Sequence, residues 1–129
     1  MSKAVLDSSA VLAVLLEEAG SDRVEGILPG ALLSAVNLAE VVSKLCERGM
    51  PASEAMLAVA AIGVDVVPFD GVQALQAGEL RPLTRAAGLS LGDRACLALS
   101  RLRGLPAMTA DAAWAAVPDC DVILIRGGH

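Results

Sequence analysis

Residues 3–17 read KAVLDSSAVLAVLLE, and this stretch decides the fold. Lys3 to Leu6 is a short apolar run of strand length, and Asp7 follows it directly. Ser9 to Glu17 has the propensity and length of a helix, which Gly20 breaks. A strand that hands over to a helix in this way opens an α/β unit, and the rest of the chain repeats the alternation. Ser21 to Leu28 reads as a second short helix ending before Pro29 and Gly30, and Ala31 to Ala35 as a strand. From Val36 to Arg48 the apolar positions Leu38, Val41, Val42 and Leu45 recur at helical spacing. Gly49 stops this helix and Pro51 opens the next. Val64 to Val67 is short and β-branched, hence a strand. Gly71 to Ala87 reads as helix, with Pro82 expected to kink or split it. Ser90 opens a segment leading into a helix over Arg94 to Arg103. Leu105 to Thr109 is a strand, Asp111 to Ala116 a helical turn or two, and Val122 to Ile125 a last strand. The expectation is one α/β domain, residues 1–129: a central, mostly parallel sheet of about four or five strands with helices on both faces.

Composition narrows the classes. An apolar content of 55% in 129 residues is ample for a single core and excludes disorder. No apolar run reaches the ~18 residues of a membrane span; the longest, Ala10 to Leu16, is followed at once by Glu17 and Glu18. Asp7 interrupts the apolar start and no basic segment leads into it, so a secretory signal is not expected and the chain is placed in the cytoplasm. Cys46, Cys96 and Cys120 are far apart without a CxxC pair, and read as buried small hydrophobes. A zinc site is excluded because the one histidine is the terminal His129. The net charge of −5 argues against a nucleic-acid partner unless some of the acids bind cations. An aromatic content of 2% argues against a base-stacking platform.

Four acids carry the chemistry, and each has an ordinary structural explanation. Asp7 follows the first strand and Asp111 follows the Leu105–Thr109 strand by one residue, so both fall at the carboxyl edge of the sheet, where ligands gather in open parallel sheets. Either could instead be a helix N-cap. Ser90-Leu-Gly-Asp93 fits a capping box, which accounts for Asp93 without chemistry. Glu40 lies inside a helix, where an exposed i,i+4 pair with Lys44 is the ordinary alternative. Taken together, the four suit a hard divalent cation. Clustered carboxylates do not stay ionised unless a cation intervenes, and oxygen ligands favour Mg²⁺ or Mn²⁺. Such a site activates water against a phosphodiester without a histidine base.

The segments Val5-Leu-Asp-Ser-Ser-Ala10, Ser34-Ala-Val-Asn-Leu-Ala-Glu-Val41, Gly88-Leu-Ser-Leu-Gly-Asp-Arg-Ala-Cys-Leu-Ala-Leu99 and Leu105-Pro-Ala-Met-Thr-Ala-Asp111 resemble those of PIN-domain nucleases of the VapC toxin kind. The order and spacing match from Val5 to Arg126. The resemblance implies a PIN-like α/β/α sandwich with Asp7, Glu40, Asp93 and Asp111 as the metal-binding, catalytic acids of an Mg²⁺-dependent endoribonuclease, Mn²⁺ being a substitute. It implies supporting hydroxyls at Ser8, Ser9 and Thr109, and a substrate contact at Arg94. It also implies a toxin–antitoxin module, in which a homodimer is bound by small VapB-type antitoxins that dock on the hairpin Ser9 to Leu28 and cover the active site. The apolar residues Val11, Leu12, Val14, Leu15, Leu16, Ile27 and Leu28 fit a groove for a partner helix, or ordinary core.

Two rivals of similar size fail on residue type. A phosphoacceptor receiver needs a late lysine, and the only lysines are Lys3 and Lys44. A haloacid-dehalogenase-type phosphatase needs an aspartate two residues after Asp7, where Ser9 stands. The remaining alternative is a catalytically silent PIN-like domain that binds RNA or a protein partner.

Overall fold

The computed structural model describes residues 2–126; His129 and the outermost ends of the expected domain lie outside them. The strands are β1 (Val5–Leu6), β2 (Leu32–Ser34), β3 (Asp65–Val67), β4 (Ala107–Thr109) and β5 (Val122–Leu124). They form one sheet in the order β3-β2-β1-β4-β5, and every pairing is parallel. The expected "mostly parallel" sheet is therefore wholly parallel among the described residues. Strand β1 is central, its Val5 and Leu6 in register with Leu32 and Leu33 on one side and with Ala107 and Met108 on the other.

The helices are α1 (Ser8–Leu15), α2 (Ser21–Glu25), α3 (Ala35–Glu47), α4 (Ala52–Ala61), α5 (Gly71–Thr84) and α6 (Leu91–Arg103), with a 3-10 helix over Ala112–Ala116. Alternation along the strands splits the core in two. Leu6, Leu33 and Met108 pack with Val11, Val41, Leu45 and Val59 from α1, α3 and α4. Val5, Leu32 and Ala107 pack on the other face with Leu80, Cys96, Leu97 and Trp114 from α5, α6 and the 3-10 helix. This is the three-layer sandwich expected.

Pro82 does not split its helix. It lies within α5, whose last residue is Thr84, so the missing N–H removes one bond near an end that is closing anyway. Thr84 reinforces that end, donating its hydroxyl to the Leu80 carbonyl at 2.8 Å. The strands are shorter than expected; β1 begins at Val5 and β4 at Ala107. Cysteine burial also needs correcting. Cys96 is buried, but Cys120 is only half-buried and Cys46 is exposed on α3 beside the inward-facing Leu45. No helix among the described residues is long and apolar enough to cross a membrane.

Candidate active site

Asp7 extends β1 by one rung, its N–H donating to the Met108 carbonyl at 2.9 Å. It occupies the N-cap position of α1 yet makes no side-chain capping bond, so the ordinary explanation of this residue fails. Its carboxylate turns instead to the end of β4. Oδ2 accepts from the Ser9 hydroxyl at 2.7 Å and from the Thr109 hydroxyl at 2.9 Å. Those two hydroxyls accept in turn from the backbone N–H groups of Ala110 (2.9 Å) and Asp111 (3.1 Å), which fixes their orientation. Ser8 approaches the other oxygen, Oδ1, at 3.5 Å. Asp7 is only 3% exposed. Burial lifts its pKa from 3.8 to about 6; the Ser9 and Thr109 hydroxyls pull downward, and the neighbouring Asp93 pushes up.

Asp93 sits in the first turn of α6 and is half-buried. It completes the capping box read from the sequence: the Ser90 N–H donates to Asp93 Oδ2 at 2.9 Å, and the Asp93 N–H donates to the Ser90 hydroxyl at 3.2 Å. Capping does not remove it from the site, since its charge acts on Asp7. Glu40, also half-buried, makes no ion pair with Lys44; among the described residues the one ion pair is Arg126 with Glu18, at 3.8 Å. Glu40 Oε1 accepts from the Asn37 amide at 2.9 Å. The buried Cys96 locates the three acids together. Its thiol pKa is raised by burial, and further by the nearby charges of Asp7, Asp93 and Glu40.

The remaining expected residues divide. Asp111 is exposed and caps the 3-10 helix, accepting from the Ala113 N–H at 2.9 Å. It joins the site through its backbone N–H to Thr109, while its carboxylate is not among the groups acting on Asp7. Arg94 leans onto α5, its Nη1 donating to the Ala77 carbonyl at 3.0 Å and its buried Nε without a partner. Of the apolar hairpin residues, Val11 and Leu12 are buried in the core, whereas Val14, Leu15, Leu16, Ile27 and Leu28 pack against it and stay partly exposed.

Two residues of the site were not anticipated. Asn37 is fully buried and bridges Glu40 to the Gly92 carbonyl, its Nδ2 donating to the latter at 3.0 Å. Gly92 lies so close under Glu40 that an added Cβ would collide with the carboxylate. An open groove of about 590 Å³ leads away from Ser9 and Glu40 between α1 and α3, past Ser43 toward Lys44 and Glu47.

The donor set fits a hard cation. Asp7, Asp93 and Glu40 all lie near Cys96, none of the three has an ion-pair partner among the described residues, and burial lifts the pKa of Asp7 to about 6. The grouping is not closed: among the described residues no three acids, cysteines or histidines stand close enough to hold one metal ion. An arriving cation would have to draw the acids inward.

Solved structures of known proteins share this architecture. A toxin–antitoxin complex from Klebsiella pneumoniae superposes with a TM-score of 0.77 at 17% identity, covering 96% of this chain and 98% of that one. DNA-bound VapBC from Salmonella typhimurium gives 0.77 at 16% identity, covering 98% and 100%. VapC20 from Mycobacterium tuberculosis, a Sarcin-Ricin loop cleaving toxin, gives 0.74 at 23% identity, covering 90% and 95%. Among curated proteins none matches the sequence. The PIN domain family matches residues 4–119, nearly all of the described chain, and with the parallel β3-β2-β1-β4-β5 sheet and the acids at its carboxyl edge this protein belongs to the PIN domain family.

Proposed function

We propose that this PIN domain is a VapC-type toxin: a metal-dependent endoribonuclease that hydrolyses RNA phosphodiesters. The observation that carries the reading is Asp7: a carboxylate only 3% exposed at the carboxyl end of the central strand, unused as a helix cap and held by the Ser9 and Thr109 hydroxyls. The resemblance of its fold to VapBC toxins supports the same reading.

Asp7, Glu40 and Asp93 would hold Mg²⁺, or Mn²⁺ in its place, with Asp111 as the outer acid. When bound, the ion supplies charge neutralisation for the phosphodiester and lowers the pKa of attacking water. The chain's own part is to present the acids. Ser9 and Thr109 donate to the same oxygen of Asp7, while the other, Oδ1, has only the Ser8 hydroxyl nearby at 3.5 Å. Because Asp7 titrates near pH 6, it is ionised at neutral pH and protonated in mild acid. Protons would compete with the cation for Asp7, so at limiting metal cleavage should fall as pH drops through about 6. A phosphate contact by Arg94 would require it to release the Ala77 carbonyl. In this reading the protein acts in the cytoplasm as a homodimer. A VapB-type antitoxin docks across Ser9–Leu28 and lays its tail in the open groove between α1 and α3.

The silent-domain alternative is favoured by the acids not being drawn together. One experiment separates the two. Purified protein is incubated with total bacterial RNA in Mg²⁺, in Mn²⁺ and in excess chelator, beside Asp7→Asn. Discrete metal-dependent fragments absent from the variant establish the nuclease. Equal cleavage in chelator or by Asp7→Asn would sink the mechanism, and no cleavage by folded, partner-free protein would favour the silent domain.

A further inference from the structure

Asn37 is a buried polar residue whose place in the fold needs a reason. On α3 it continues the line of Val41 and Leu45, both buried and apolar, so an apolar side chain is what core packing alone would select there. Both hydrogens of its amide are used, one toward Glu40 Oε1 at 2.9 Å and one toward the Gly92 carbonyl at 3.0 Å. Neither partner can donate, so the orientation of the amide is fixed: nitrogen toward the acid, oxygen away. The oxygen Oδ1 is left buried with no donor. An unsatisfied buried carbonyl is a cost that simple interhelical packing would not select.

The second half of the arrangement comes from α6. Gly92 directly precedes Asp93, and a Cβ on it would occupy the space of the Glu40 carboxylate. Glu40 is thus confined from two sides. Asn37 holds one of its oxygens from within α3, and the bare backbone at Gly92 lets it settle against the turn that carries Asp93.

We infer that Asn37 and Gly92 are positioning residues for Glu40: the amide fixes one carboxylate oxygen and the glycine seats the other beside Asp93, so that the pair sets the affinity of the site for a divalent cation. The inference rests on Glu40 being one of the metal-holding acids. A partner that orients a metal-ligating carboxylate typically contributes about 10- to 100-fold in metal affinity or activity.

The test is Mn²⁺ affinity, measured by calorimetric titration of the full chain, with metal-free melting curves alongside. Asn37→Ala should weaken Mn²⁺ binding roughly 10-fold or more. Gly92→Ala should weaken it comparably in a protein that still folds, because the group that must yield is the far end of the Glu40 side chain and not the backbone. Gly92→Ala therefore carries the test if Asn37→Ala fails to fold. The decisive arm places each change in a Glu40→Gln background. A residue acting through Glu40 has little left to lose there, whereas one that merely holds the fold costs the same as before. Non-additive losses support the assignment. Unchanged affinity in the folded single variants, or fully additive losses with Glu40→Gln, overturns it. Wild-type protein that takes up no Mn²⁺ overturns the reading of the acids itself, and the inference with it, which the wild-type titration alone reveals.

Discussion

Asp7 and Asp93 are near enough for the charge of one to act on the other, yet the chain holds them in opposite ways. Asp7 is buried at the join of β1 and β4, and its partners come from residues 9 and 109. Asp93 is half-buried, and its partners lie within its own turn of helix. Burial makes the charge on Asp7 costly, whereas the capping box makes Asp93 an asset to α6. The two aspartates would share a function, but only one is paid for by the fold. A carboxylate that costs stability and is retained in a core position points to chemistry far more strongly than one that contributes stability where it sits.

The comparison breaks most sharply on activity. Asp7→Asn and Asp93→Asn should each reduce metal-dependent RNA cleavage by at least about 100-fold, read by fragment yield over time. A variant that keeps full activity removes its residue from the site.

Stability should then divide the pair. Because the pKa of Asp7 rises from 3.8 to about 6 on folding, the native state binds its proton more tightly than the unfolded state does. Metal-free protein should gain stability from this group as pH falls from about 7 to 4, and lose it as pH rises through 6. At pH 7.5 the ionised residue costs up to about 3 kcal/mol, and Asp7→Asn should recover much of it, raising the metal-free melting temperature by several degrees and flattening its pH dependence. Saturating Mn²⁺ should stabilise the wild type by about 2–3 kcal/mol at 100-fold excess over its Kd, and Asp7→Asn much less.

Asp93→Asn should move the other way. Losing the charge at the first turn of α6 should lower metal-free stability by about 0.5–1 kcal/mol, seen in denaturant titrations. A rise in stability there would mean that repulsion from Asp7 outweighs capping. The smallest effect falls on Asp111→Asn. Asparagine caps as well as aspartate, so its melting temperature should stay within about 2 °C of wild type, with a smaller loss of cleavage than either inner aspartate.

Local features of this design were legible in the sequence. The capping box at Ser90 and Asp93 appears as read, and so does the cap at Asp111, because both depend on residues within three positions of each other. The alternation of strands and helices, and the placement of Asp7 at a strand end, held for the same reason. Asp7's partner Thr109 lies 102 residues away, and no local pattern distinguishes a cap from a carboxylate turned toward a second strand. Asn37 did leave a trace: a polar residue on the Asn37–Val41–Leu45 line of an otherwise apolar helix face. Gly92 left almost none, since a glycine early in a helix gains meaning only when the neighbouring helix is in place.

The central position of β1 has a temporal consequence. Its two neighbours come from distant parts of the chain, β2 beginning at Leu32 and β4 at Ala107. During synthesis β1 can pair on one side early, but its other edge stays open until β4 has been made. At about 5–20 residues per second, that interval lasts roughly 5–20 s. Until then Asp7 has no Thr109 to meet, and Asp93 faces an unfinished floor. The proposed nuclease would thus gain the anchored form of Asp7 only after residue 109 has been made, a delay that would spare the RNA of the ribosome making it.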